Sequence, residues 1–231
     1  MCFFVGRIRT AWRRKRVRAL TYLLALLTAV YVTARVVWDP PNDDGPLPTR
    51  GGLTEVSRIE PLYTSIASEL TGRHDVEVRC WSDADWAVRS EEVAAWTDGK
   101  MRPGDWTAYV SWDHDRANLS PSVCRALGRW AYERQWPDDR WEIFNFAWSV
   151  KVLAHESQHL RGIDNEAKAD CYGLQEMAAV GRGLGLGQEE ARSVAEYAWL
   201  YIYPRARGEY KSAECRDGGE LDLHPSSSVW P

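Results

Sequence analysis

The strongest apolar pattern of the chain is a continuous stretch near its beginning. Residues 19–34 carry no charge, and residues 36–38 continue the apolar stretch. The long side chain of Arg35, between them, can place its charged group in water at the membrane surface. About 20 such residues span a bilayer as a helix. Seven Lys or Arg and no acidic residue lie in residues 1–18, which favours a cytoplasmic N-terminus. The pattern predicts a basic cytoplasmic tail followed by an uncleaved transmembrane signal anchor at 19–38.

Two other interpretations of this stretch are weaker. A signal peptide cleaved near Thr33 and Ala34 would have Tyr31 and Arg35 at its cleavage site, where small residues are preferred. A basic amphipathic surface helix fits poorly, because residues 19–34 are apolar on all sides.

The composition changes after the apolar stretch. Residues 39–54 are rich in Pro, Gly and Asp, which is typical of a linker. Residues 55–231 have the length of one domain. We therefore expect an extracytoplasmic domain at 55–231, connected by the linker to a single-pass anchor in the cell membrane.

Within this domain, the spacing of apolar residues mostly predicts helices. Alternating apolar and polar residues indicate short strands at 76–81 and 106–112. Ser120 followed by Pro121 is a typical helix start. The expected helices cover 55–70 (begun or interrupted at Pro61), 82–96, 120–133, 141 to a stop near Gly162, a segment from about 166, and 188–203, with a glycine-rich turn at 181–187. The expected fold class is mainly α, or α+β with a small β element.

The helix expected from residue 141 contains a His-Glu-x-x-His motif, His155-Glu156-Ser157-Gln158-His159. Positions i and i+4 lie on one face of a helix, so the two imidazoles can bind one zinc ion. Glu156 lies beside the first of them and can act as a general base. The motif predicts a Zn²⁺ site with His155 and His159 as ligands and Glu156 as the catalytic residue.

A second pair of polar residues has the same spacing on the next expected helix. A zinc site with two His needs a third protein ligand, and a ligating His needs a partner for its other ring nitrogen. Glu166 and Asp170 can supply these two needs. The simpler interpretation is a solvated acidic helix N-terminus, which the helix dipole favours.

The arrangement of His155, Glu156, His159, Glu166 and Asp170 resembles the gluzincin branch of the zincin metallopeptidases. The run 166–172 also resembles the matching segment of bacterial putative neutral zinc metallopeptidases, and the whole pattern is similar to small membrane-anchored actinobacterial HExxH proteins. The similarity covers residues 150–176. It implies a zincin-like helical core, a zinc cofactor, Glu166 as third ligand, and Asp170 as the residue that supports a metal-bound His.

The chain departs from the gluzincin pattern in one respect. Glu166 follows His159 by only seven residues, whereas gluzincins usually have a longer gap. The short gap resembles the metzincin pattern HExxHxxGxxH, with Gly162 at the position of its Gly and Asn165 at that of its third His. The third ligand is therefore open among Glu166, Asp170 and Asp164.

Cysteine usage fits an exported domain. The domain holds four Cys residues, for which we expect two disulfides with three possible pairings: Cys80, Cys124, Cys171 and Cys215. Zinc coordination by these residues is disfavoured because no CxxC pair occurs. Cys171 directly follows Asp170, so that a disulfide there would brace the second metal helix.

The charge is divided unevenly along the chain. Residues 1–38 carry eight Lys or Arg and no acidic residue, and the whole chain has a net charge of −4, so residues 39–231 carry −12. An acidic domain argues against a nucleic-acid partner.

Two functions are consistent with these features. The first is a membrane-anchored zinc metallopeptidase that hydrolyses peptide or other amide bonds of an envelope protein or cell-wall peptide. Its oxyanion-stabilising residue would come from a set of candidates: Tyr201, Tyr203, Tyr210 and His224. The alternative is a non-catalytic zincin-like module for envelope binding or scaffolding.

Overall fold

Helices form most of the structure, which confirms the expected mainly α fold class. The computed structural model describes residues 55–96, 106–227 and 230–231. The predicted basic tail, signal anchor and linker all lie outside these residues. None of the helices within the described ranges is long and apolar enough to cross a membrane.

A small four-stranded sheet accompanies the helices. Its strands are β1 (Arg58–Ile59), β2 (Glu77–Cys80), β3 (Ala108–Ser111) and β4 (Arg116–Leu119), in the spatial order β1-β2-β4-β3. β2 and β4 are parallel, and the other two pairs are antiparallel. The sequence predicted β2 and β3 but not β1 or β4, because β1 is very short and β4 contains a buried polar residue. That residue, Asn118, bonds Trp81 and Ser111.

The described residues form six α-helices. They are α1 (Pro61–Thr71), α2 (Asp83–Trp96), α3 (Pro121–Ala131), α4 (Arg140–Leu160), α5 (Glu166–Gly183) and α6 (Gln188–Tyr197). All but α2 contribute buried apolar residues to the core. As predicted, Ser120 caps α3, its side chain accepting a hydrogen bond from the backbone N–H of Val123.

Two helix ends differ from the prediction. α5 continues to Gly183 through part of the expected glycine-rich turn. A Cβ on Gly183 would lie 2.7 Å from Cγ1 of Ile66, so this glycine allows α5 to pack closely on α1. The last helix ends at Tyr197 instead of 203 and continues as a π-helix, Ala198–Ile202, and a 3-10 helix, Tyr203–Arg205. Pro204 lacks the N–H that a continuing α-helix would need.

The centre of the domain is α4. It packs against α1, α3, α5, α6, β3 and β4. Residues 149–160 of α4 are all buried, although seven of these twelve residues are polar or charged. Packing therefore shields the motif residues from water over most of their surface.

Both expected disulfides are present. Cys80–Cys124 joins β2 to α3, and Cys171–Cys215 joins α5 to the C-terminal segment. The second bond leaves no free thiolate at Cys171 for a metal, and it braces α5 as predicted. The C-terminal segment also packs back on the domain, because the side chain of Gln175 bonds the backbone of Leu221 and Leu223.

Candidate metal centre

The two motif histidines share one face of α4, as their spacing requires. His155 and His159 are both buried, and their Nε2 atoms lie 3.0 Å apart. The rings meet edge to face with centroids 4.6 Å apart. Both Nε2 atoms therefore point to one place, where a single ion can contact them.

A tight turn connects α4 to the next helix. Gly162 has a φ of +94°, a left-handed conformation that glycine adopts without strain. The turn brings the carbonyl oxygen of Ile163 to 2.6 Å from Nδ1 of His159, which orients that ring. Asn165, at the position of the third metzincin His, instead caps α5 by accepting a hydrogen bond from the N–H of Lys168. The short gap between His159 and Glu166 therefore places the first residue of α5 beside the end of α4.

Glu166, the first residue of α5, completes a triangle of possible ligand atoms. Its Oε2 lies 3.1 Å from Nε2 of His155 and 3.3 Å from Nε2 of His159. Ligand atoms about 2.0–2.1 Å from a tetrahedral zinc ion lie roughly 3.3 Å from one another. The triangle therefore has nearly the size of one face of a zinc tetrahedron, and these three residues fit the ion.

The other two candidates for the third ligand lie elsewhere. Asp164 is exposed and is not part of the triangle. Asp170 is buried, and its Oδ1 lies 3.2 Å from Nδ1 of His155, on the side of the ring that faces away from the triangle. This contact is close but is not aligned as a hydrogen bond. Asp170 therefore occupies the position expected of a residue that supports His155.

The approach of α5 to α4 at this point depends on Gly173. A Cβ there would lie 3.0 Å from the backbone nitrogen of His155 and 3.1 Å from its Cα. Such distances are shorter than ordinary van der Waals contact, so a larger residue would push the helices apart. The glycine thus allows Glu166 and Asp170 to reach the two sides of one imidazole.

Glu156 is a buried carboxylate beside the triangle. Its Oε2 has no hydrogen-bond partner among the described residues. Burial raises the pKa of Glu156 above the ordinary value, while the nearby His155 and His159 oppose the rise. A buried carboxylate oxygen without a hydrogen-bond partner is unfavourable, because it has lost its contacts with water.

Burial and neighbouring charges act in opposite directions on the imidazoles. Burial disfavours the charged ring of His155, but its contacts with Asp170 and Glu166 outweigh burial and raise the pKa of His155 to about 9. Burial also opposes charge on His159, yet Glu166 produces a net rise in its pKa. The contacts with the two imidazoles lower the pKa of Glu166 to about 2. The surroundings therefore favour positive charge at the triangle.

The formal charges of the cluster explain this preference. Glu156, Glu166 and Asp170 are carboxylates, and Lys151 pairs with the last of them. With neutral imidazoles, three negative charges against one positive charge leave two negative charges in excess. A dication would balance this excess and leave the imidazoles neutral, the form that binds metal. Charge and geometry both fit a divalent ion.

Two aromatic residues lie beside the triangle. The ring of Tyr210 is 5.7 Å from that of His155, and the half-exposed Trp112 is 6.0 Å from His159. The other oxyanion candidates are not grouped with these residues: Tyr203 bonds the backbone of Ser212, and Tyr201 and His224 are exposed. In the sequence, Trp112 is distinguished only by its place at the end of a predicted strand, which gives no reason to assign it to the site.

Comparisons with models of protein families, with curated proteins and with solved structures gave no match to this chain.

Proposed function

We propose that the chain is a zinc-dependent metallopeptidase. The observation that carries the proposal is the triangle of His155, His159 and Glu166, with the buried carboxylate of Glu156 beside it. Three protein ligands are typical of catalytic zinc sites, because they leave one position for water or substrate, whereas structural sites usually have four.

Each residue of the site has a distinct chemical role in this proposal. When bound, zinc would act as a Lewis acid on the scissile carbonyl. Glu156 accepts a proton from the attacking water and passes it to the leaving amine. Because burial raises the pKa of Glu156, its carboxylate holds a proton more readily than an exposed Glu does, which suits this transfer.

Tyr210 is the best candidate for stabilising the oxyanion. Burial raises the pKa of Tyr210, and Glu166 raises it further, so the phenol keeps the proton that it would donate. Its position beside His155 distinguishes it from the other candidates.

A peptide substrate has a plausible place to bind. β3 is an edge strand of the sheet and packs against α4, and Trp112 follows it directly. An extended peptide can add to such an edge through backbone hydrogen bonds. This supports a peptide as the substrate, with Trp112 contacting a side chain near the cleaved bond.

The alternative of a non-catalytic zincin-like module explains less. A scaffold has no use for Glu156, whose buried and unsatisfied carboxylate destabilises the fold. The metallopeptidase gives that residue a function.

The proposal is tested with the purified full-length chain and a mixture of unstructured peptides. We expect about one zinc per chain by elemental analysis, hydrolysis that a chelator abolishes, and recovery when zinc is restored. Magnesium added in place of zinc is the control and should not restore hydrolysis, because it binds imidazole poorly. Protein without zinc, or hydrolysis that is insensitive to the chelator, would contradict the proposal.

The proposal includes a location outside the cytoplasm, with the domain held to the membrane by residues 19–38. The basic residues of 1–18 support this orientation of the anchor. The two disulfides support an exterior location of the domain, because disulfides persist in oxidising compartments. A reporter active only outside the cytoplasm, fused after Pro231, should be active. Activity only from a cytoplasmic reporter at the same position would refute this topology.

A further inference from the structure

Lys151 is a buried lysine on the helix that carries the two histidines, where a charged residue is unusual. It lies one turn before His155, and its side chain is 6% exposed. Its Nζ donates a hydrogen bond to Oδ1 of Asp170 and lies 5.3 Å from the centre of the Trp148 ring. The same Oδ1 lies 3.2 Å from Nδ1 of His155. One carboxylate oxygen therefore faces a cation and a metal-site histidine.

Stability alone does not explain this buried ion pair. Moving two charges out of water is unfavourable, and an apolar pair of similar volume is often as stable or more so. Oδ2 of Asp170 has no hydrogen-bond partner among the described residues, which adds to the unfavourable desolvation. The contact between Lys151 and Asp170 therefore points to a role at the site beside it.

We propose that Lys151 is a positioning residue and a fixed counter-ion, which acts on the metal site through Asp170. Without metal, it keeps the buried carboxylate paired and directed at His155, so that the site is formed in advance. With a dication bound, the ammonium group of Lys151 competes with the ring of His155 for Oδ1 of Asp170. Its positive charge also opposes that of the ion. Lys151 thus makes the ion more readily exchangeable than Asp170 alone would. The inference rests on the proposed zinc site and goes beyond its ligands.

The test is the rate at which zinc passes from the loaded full-length protein to an excess of a coloured chelator. Lys151→Met retains much of the side-chain volume and removes the charge. We expect zinc release about tenfold slower than from wild type, the scale at which changes around metal ligands act. The effect should largely disappear in an Asp170→Asn background, because the carboxylate through which Lys151 acts is then neutral.

Three further variants make the result specific. Lys168→Met is the matched control, since Lys168 is exposed on α5 near Glu166, and its charge is screened by water; wild-type release is expected. Lys151→Arg retains the charge and should also release zinc at the wild-type rate. If Lys151→Met does not fold, Lys151→Gln replaces it, because Gln can still donate a hydrogen bond to Asp170 but carries no charge.

The outcomes separate this inference from the proposed function. Release from Lys151→Met that is as fast as from wild type, or that slows equally in the Asp170→Asn background, would overturn the role of Lys151 while leaving the zinc site intact. Wild-type protein that binds no zinc would overturn both. Thermal unfolding with chelator and, separately, with saturating zinc gives an independent readout. Lys151→Met should lower the Tm of the metal-free protein more than that of the loaded protein, because zinc partly compensates the unpaired Asp170.

Discussion

Replacing Glu156 by Gln should reduce peptide hydrolysis by roughly 10² or more, while the zinc content stays near one per chain. Gln has the same shape and still forms hydrogen bonds, but it cannot accept the proton of the attacking water. The carboxylate of Glu156 is not among the three atoms of the ligand triangle, so its loss should not remove the metal. The measurement is zinc stoichiometry and kcat/KM on the same preparation.

Glu166→Ala is the paired variant, and it should impair zinc binding, which Glu156→Gln leaves intact. It removes one ligand of the triangle, so zinc affinity should fall first and hydrolysis should fall as a consequence. Glu189→Gln, an exposed change on α6, should alter neither quantity. If Glu156→Gln cleaves peptides as fast as wild type, the proposed mechanism is wrong, and the scaffold function becomes the better explanation.

The motif helix could be predicted from the sequence because its signals are local. Residues 141–154 contain no Gly or Pro, and the spacing of His155 and His159 fixes both on one face. That inference needs only the geometry of a single helix. The structure agrees with it, since both Nε2 atoms point to one place.

The choice between Glu166 and Asp170 could not be made in the same way. Both lie on one face of α5, one turn apart, so each is equally compatible with a ligand role. The turn at Gly162 and the close approach at Gly173 decide which carboxylate meets Nε2 and which meets Nδ1 of His155. These are properties of two helices packed together, which spacing within one helix does not determine.

Lys151 and Tyr210 show the same limit. In the sequence, Lys151 is a single charge in an apolar stretch, and its partner Asp170 is 19 residues away. Tyr210 was one of four candidates, and it reaches His155 only because the C-terminal segment folds back onto α5. Contacts between residues distant in sequence depend on the tertiary fold, so local patterns gave candidates but no selection among them.

The two disulfides should contribute equally to stability but unequally to activity. Each joins residues 44 positions apart, so each closes a loop of the same length. In the chain-entropy account, such a loop corresponds to about 4 kcal/mol of unfolding free energy. Cys80→Ala with Cys124→Ala, and Cys171→Ala with Cys215→Ala, should therefore lower the unfolding free energy by similar amounts, as measured by denaturant titration.

Only the second disulfide connects the metal site to the C-terminal segment. Cys171 follows Asp170 directly, and Cys215 holds the segment that carries Tyr210 beside His155. Without this bond the segment is held by weaker contacts, such as those of Gln175, so we expect hydrolysis to fall by up to about 10², the scale for losing one oxyanion donor. Activity is compared at a low temperature where circular dichroism shows both double variants folded, and the Cys80 and Cys124 pair is the control for stability. Equal activities of the two folded variants would mean that the C-terminal segment, and Tyr210 with it, takes no part in the reaction.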